Sequence, residues 1–236
     1  MKKYKAILFD MDGTLLPMDM NEFTSGYFKL LCKRLAPFGF DADILVKVIW
    51  KSVGAMVVND GKINNEAVFW KTFGEILHTE TDQIKPICDD FYGKEFVEAK
   101  CFTKDNPLAT LAVKTAHEKA PIVALATNPL FPMPGQVTRM SWVGLKPSDF
   151  DLVTSYESDY YCKPNPKYYE AVCERLGVKP TECLMIGNDE LEDMYSCSQL
   201  GIDGYLVTDT MIESKEHPWD GPRGTFAELI EMLKNL

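Results

Sequence analysis

The chain has 236 residues, 46% hydrophobic and 25% charged, a globular balance that buries a core without disulfide staples. A net charge of −10 argues against nucleic acid or anionic lipid as a partner, so an anionic ligand has to be captured by a local metal or a placed lysine. Seven cysteines with no C-x-x-C spacing, and three scattered histidines, speak for reduced thiols in the cytoplasm and against a disulfide framework or a zinc site.

The first ten residues, MKKYKAILFD, run from basic through apolar to acidic. The apolar part is too short for a signal peptide or a membrane span and predicts a strand over 5–9. From about 19 to 98 no strand pattern is found. Four helical stretches are predicted there, at 21–35, 42–57, 65–77 and 81–96, with breaks at PFGFD, NDGKINN and LHTETD. The segment EAKCFTKDNP then returns the chain. These boundaries divide it into an α/β core, residues 1–17 and 100–236, and a helical insertion, residues 18–99.

Beyond the insertion, helices and strands alternate. Helices are predicted at 108–119, 136–143, 166–176, 191–200 and 226–233, and strands at 122–126, 152–154, 183–186 and 205–208. The strands are nearly continuous apolar runs, as in strands covered on both faces, so the expected fold is a doubly wound parallel sheet with a Rossmann-type core. Helix punctuation agrees. Asn165 and Pro166 open the helix at 166–176 and Gly177 closes it, Thr225 and Glu228 form a capping box for the last helix, and Gly201 closes the one at 191–200.

In such a sheet, reactive groups gather where the strands end. The first strand ends in Asp10-Met11-Asp12-Gly13-Thr14, and the second in Thr127-Asn128. The third leads to Lys163, and the fourth ends in Gly187-Asn188-Asp189 with Asp193 one turn on. This ordered set resembles the haloacid dehalogenase-like superfamily, from residue 5 to about 207, and the insertion after the first motif resembles that superfamily's helical cap. The resemblance implies a phosphatase. Asp10 is then the nucleophile that becomes an aspartyl-phosphate. Asp12 is the acid for the leaving oxygen and later the base for water, and its main-chain carbonyl also reaches the metal. Relatives that cut carbon–halogen bonds usually lack an acid at the Asp12 position, so its presence favours phosphate esters.

The chemistry has its own logic. A carboxylate repels a phosphate dianion, by about 4 kcal/mol per pair of unit charges at about 4 Å and an effective dielectric of about 20. A cation held by Asp10, Asp12 and a residue of the fourth motif cancels that repulsion, and hard oxygen ligands select Mg²⁺. Lys163 adds a second positive charge, and Thr127 and Asn128 bind the remaining phosphoryl oxygens. The fourth motif departs from the usual Gly-Asp, so either Asn188 or Asp189 can be the ligand. Asp189 is preferred for its charge, and Asn188 would bind the metal more weakly. Asp193 is expected behind the ligands, orienting one of them or Lys163.

The expected activity is Mg²⁺-dependent hydrolysis of a small phosphorylated metabolite. The alternatives are a phosphoglucomutase-like phosphotransferase and a non-catalytic phospho-ligand-binding protein on the same scaffold. Cys162, without a paired histidine, reads as structural. The loop PLFPMPG, 129–135, reads as stiff and half-buried, with the rim of a substrate pocket as the other possibility. The aromatic residues of the insertion, Phe23, Trp50, Phe69 and Phe73 among them, read mainly as its own core.

Overall fold

A computed structural model describes residues 3–236. Six strands form one parallel sheet: β1 (Ala6–Phe9), β2 (Ile122–Leu125), β3 (Leu152–Val153), β4 (Cys183–Gly187), β5 (Asp203–Val207) and β6 (Arg223–Gly224). Their order is β3-β2-β1-β4-β5-β6. The chain builds outward from β1 to β3 on one side, then returns to add β4 on the other. The order therefore reverses at β1, where a parallel sheet opens a crevice beyond its strand ends.

Side-chain alternation divides the core. Ile7, Phe9, Val123, Leu125, Leu184 and Ile186 face one side, where they join Ala112 and Val113 of α5 (Ala109–Lys119) and Leu229 and Leu233 of α9 (Phe226–Lys234). Ala6, Leu8, Ala124, Cys183 and Met185 face the other and meet Tyr168, Tyr169 and Val172 of α7 (Pro166–Leu176). This is the period-two pattern of strands buried on both faces. Asn165 caps α7 and Thr225 caps α9 with a full capping box, while Gly177 takes the left-handed conformation that ends α7.

Between β1 and α5 lie α1 (Met20–Leu35), α2 (Ala42–Val57), α3 (Asn65–Leu77) and α4 (Lys85–Gly93). Asp19, Asp41 and Asn64 cap the first three through their side-chain oxygens. The apolar faces of these helices are continuous with the α5/α9 side of the sheet. The fourth expected helix, 81–96, is instead divided. Pro86 in the first turn sets the start of α4, Gly93 ends it, and a 3₁₀ stretch, Glu95–Phe102, carries the chain back.

Three further differences lie in the α/β core. The helix expected over 191–200 begins as a π-helical turn, Glu190–Tyr195, and only Ser196–Ser198 (α8) is α-helical. β6 was not anticipated, because it is a two-residue edge strand with no apolar run. The short helix α6 (Met133–Trp142) follows β2 and starts three residues earlier than expected. Among the described residues, no helix is long and apolar enough to cross a membrane.

Candidate active site

β1 delivers Asp10 to the crevice. Its backbone N–H still pairs with Ile186 O at 2.9 Å, so the residue is held by the sheet while its carboxylate projects beyond it. Lys163, from the loop between β3 and α7, donates to Asp10 Oδ1 at 2.8 Å and to Asp193 Oδ1 at 2.6 Å. All three side chains are buried. Burial opposes the ammonium charge of Lys163, but Asp10 and Asp193 prevail and hold its pKa well above the ordinary lysine value. Burial also drives the Asp10 carboxyl upward, with Lys163 pulling against it.

Asp193 organises the fourth strand end. Its Oδ2 accepts the backbone N–H of Asn188 at 3.0 Å and of Asp189 at 3.1 Å. The π-helical turn carries the residue back toward the strand, a local irregularity frequent at functional sites. Gly187 is required by this approach, since a Cβ there would collide with the Asp193 carboxylate. Tyr169 adds a donor to Asp193 Oδ1 at 3.5 Å.

Of the two residues in question in the fourth motif, Asn188 is the one that faces Asp10. The Thr14 hydroxyl lies 3.2 Å from Asn188 Oδ1 and 3.4 Å from Asp10 Oδ2. The Asn188 amide donates to Thr210 O at 2.7 Å, which fixes its carbonyl toward the carboxylate. Asp189 has a different task. Its Oδ1 accepts from Leu191 N and Glu192 N, each at 2.8 Å, and caps the π-helical turn. The tight turn after β1 depends on Gly13, whose φ is +85° and whose Cβ would strike the Asn188 side chain.

Asp12 sits just beyond Asp10, with a partner that sequence reasoning did not identify. Arg139 of α6 is fully buried and pairs with Asp12 Oδ2. Its other terminal nitrogen donates to Gln136 Oε1 at 2.5 Å, and Gln136 in turn donates to Thr154 O at 3.1 Å. The guanidinium lies 4.0 Å from the centroid of the Phe131 ring. Asp12 Oδ1 is buried and has no hydrogen-bond partner.

Thr127 and Asn128 occupy the end of β2. Thr127 is buried, and its carbonyl accepts from Thr154 Oγ1 at 2.7 Å and Tyr168 OH at 2.8 Å. The Asn128 amide donates to Glu192 Oε2 at 2.9 Å and approaches Lys163 O at 3.4 Å, while Asn128 Oδ1 is buried without a partner. Glu192 is a second residue the sequence did not point to. Burial pushes its carboxyl up to about 8.

The oxygens brought together at the strand ends, Asp10 Oδ2 and Asn188 Oδ1, are the hard donors that suit a divalent cation such as Mg²⁺. The set fits such an ion with one carboxylate rather than two. Among the described residues, no three His, Cys, Asp or Glu side chains converge as a metal cluster. An acid held beside a buried lysine, a second carboxylate two residues on, and neutral donors around them can attack and stabilise an anionic, tetrahedral group.

The chain is 23% identical over 210 residues to acyl-CoA dehydrogenase family member 10 of Mus musculus, covering 85% of this chain but only 18% of that much longer protein. It is also 23% identical over 223 residues to a glyceraldehyde 3-phosphate phosphatase of Methanothermobacter thermautotrophicus, covering 89% of this chain and 88% of the relative. The fold matches a crystal structure of a 2-haloacid dehalogenase from Pseudomonas syringae pv. Tomato DC3000 with a TM-score of 0.65 at 18% identity, over 100% and 99% of the two chains. The family model for haloacid dehalogenase-like hydrolase matches residues 4–201, and the chain belongs to that family of hydrolases.

Proposed function

We propose that the protein is a Mg²⁺-dependent phosphatase of a small phosphorylated metabolite. The observation that carries this reading is the Asp10–Lys163–Asp193 chain beside Asp12. Asp10 and Asp12 together provide the nucleophile and acid that phosphate-ester cleavage needs, and a relative of similar length is named as a phosphatase. Asp10, the Asp12 main-chain carbonyl and Asn188 would hold the metal, with Asp189 capping the turn behind them. When bound, the cation supplies charge neutralisation for the phosphoryl group.

The chain's own residues then act in two steps. The Asp10 carboxylate attacks phosphorus, and the ester P–O bond breaks as Asp12 hands a proton to the departing oxygen. Lys163 keeps Asp10 oriented, and Thr127 and Asn128 bind the phosphoryl oxygens. In the second step Asp12 takes a proton from water, which attacks the aspartyl-phosphate and releases inorganic phosphate. Helices α1–α4, residues 18–99, form the cap over a core of residues 1–17 and 100–236. The seven cysteines, none of them in a disulfide, favour the cytoplasm.

The test is Asp10→Asn. The variant is expected to fold and to lose turnover of p-nitrophenyl phosphate, and EDTA is expected to stop the unaltered enzyme. Retained hydrolysis in either experiment defeats the corresponding assignment. Asn188 favours one second reading, a non-catalytic phospho-ligand-binding protein, because it removes a negative charge from the cation site. Tight binding of a phosphorylated ligand without turnover would select it. A phosphoryl group moved to another position rather than released would select the phosphotransferase.

A further inference from the structure

Between α1, α2, α3, α4 and the loop after β2 lies an apolar cavity of about 210 Å³. Phe23, Phe28, Phe69, Trp70 and Phe73 form much of its wall, and Phe131 forms its floor. The aromatics of the insertion thus pack around a void rather than filling it. Four of the polar side chains in the wall pair with one another, and Thr24 adds a hydroxyl. Tyr27 OH lies 2.7 Å from Tyr92 OH, and Trp70 Nε1 donates to Tyr156 OH at 3.4 Å. One hydroxyl is fewer than the two to four polar partners a buried water needs, and apolar cavities of about 150 Å³ stay dry and accept benzene. This one has room for an aromatic ring and a short chain.

The cavity adjoins the candidate active site on the side of Asp12. Phe131 lines it and also supports the guanidinium of Arg139, which holds Asp12. Its floor, Leu130 to Pro132, follows Thr127 and Asn128 with only Pro129 between. Met20 lines both this cavity and the cleft that contains Asn188. Met20 and Trp50 are 38% and 53% exposed, so the wall is open to entry where they stand. In the phosphatase reading the leaving oxygen sits against Asp12, which places the organic part of an ester on the cavity's side.

We propose that this cavity takes an aryl group carried by the phosphorylated ligand, so that the preferred substrates are phosphate monoesters of aryl-alkyl alcohols. The inference rests on the phosphatase reading for the placement of the phosphate. Non-hydrolysable ligands test it without turnover. 3-Phenylpropylphosphonate and propylphosphonate share a headgroup and differ by one ring. Calorimetric titration of the full chain with Mg²⁺ should show the phenyl ligand binding at least about tenfold more tightly. Val53→Trp, which fills the cavity from α2, should abolish that difference, and Thr24→Phe fills it from α1 if the first variant does not fold. Equal binding of the two phosphonates to the unaltered protein overturns the proposal.

A turnover comparison separates this inference from the reading beneath it. 2-Phenylethyl phosphate and ethyl phosphate have leaving alcohols of similar reactivity. A kcat/KM higher for the phenyl ester by at least about tenfold supports both. Hydrolysis of both esters at equal kcat/KM keeps the phosphatase and removes the aryl pocket. Tighter phenylpropylphosphonate binding without hydrolysis of either ester keeps the pocket and removes the phosphatase.

Discussion

Arg139, with no exposure to solvent, holds the carboxylate of Asp12 from a helix 127 positions away in sequence. The pair joins α6 to the turn after β1, and Phe131 and Gln136 hold the guanidinium in place. A charge this deeply buried is costly unless its partners are fixed, so the arrangement locks Asp12 in one direction. Asp12 is itself partly open, with 17% of its side chain exposed, which moderates the cost of losing the pair. Arg139→Met is expected to lower stability by about 2 kcal/mol and turnover by about tenfold or more. Arg139→Lys keeps the charge but not the planar fork, and should recover part of the rate. Urea melts with steady-state kinetics make the check. Unchanged turnover in the Met variant would mean that Asp12 needs no such positioning.

Asn188 presents a neutral carbonyl where an acid would add charge to the proposed cation site. Asn188→Asp is therefore expected to tighten Mg²⁺ binding by about tenfold to a hundredfold, even though it loses the amide donor to Thr210 O. Asp189→Asn should alter Mg²⁺ affinity little, because Asp189 Oδ1 caps the turn and an amide oxygen can still do so. Calorimetry with Mg²⁺ distinguishes the two positions. The reverse ranking would return the ligand role to Asp189.

The legibility of this chain differs between its sheet and its site. β1 and β4 are readable because Ala6–Phe9 and Cys183–Gly187 are apolar without interruption, and burial on both faces demands that. The helices of the insertion are readable because Asp41 and Asn64 cap them with their own side chains. β6 is not, since Arg223-Gly224 pairs only through its backbone at the sheet edge. Arg139 escapes for a different reason. A charged residue on a short helix reads as solvent-facing, and only the fold places Phe131 beneath it and Asp12 before it. The order Asn188-Asp189 leaves the ligand open because spacing does not encode which side chain turns toward Asp10. The Thr210 carbonyl and the π-helical turn decide that.

Glu192 should make stability depend on pH. Burial raises its carboxyl from 4.5 to about 8, so across that window the folded chain binds a proton that the unfolded chain releases. The stabilisation from this raised pKa is complete below about 4.5 and is lost as pH rises through about 8, amounting to roughly 5 kcal/mol at most. Asp10, also raised by burial, contributes with the same sign. Glu192→Gln retains an acceptor for the Asn128 amide and removes the titration. Its melting temperature should therefore fall less than that of the unaltered protein between about pH 5 and pH 8. Parallel curves for the two proteins would show that Glu192 is not protonated in the fold.

Gly187 offers a test of whether Asp193 matters to the reaction through Lys163. A methyl group at 187 would occupy the space of the Asp193 carboxylate. In Gly187→Ala the carboxylate has to shift, Lys163 loses one of its two anionic partners, and the N–H groups of Asn188 and Asp189 lose their acceptor. The expected cost is about 2–3 kcal/mol of stability and at least about a tenfold loss of kcat. Gly177→Ala is the control. It meets open space but holds a φ of +66°, far from Asp10 at the end of α7, and should cost about 1 kcal/mol with kcat unchanged. If both variants lose stability and both keep kcat, Asp193 serves the fold alone, and Lys163 is held for catalysis by Asp10 without it.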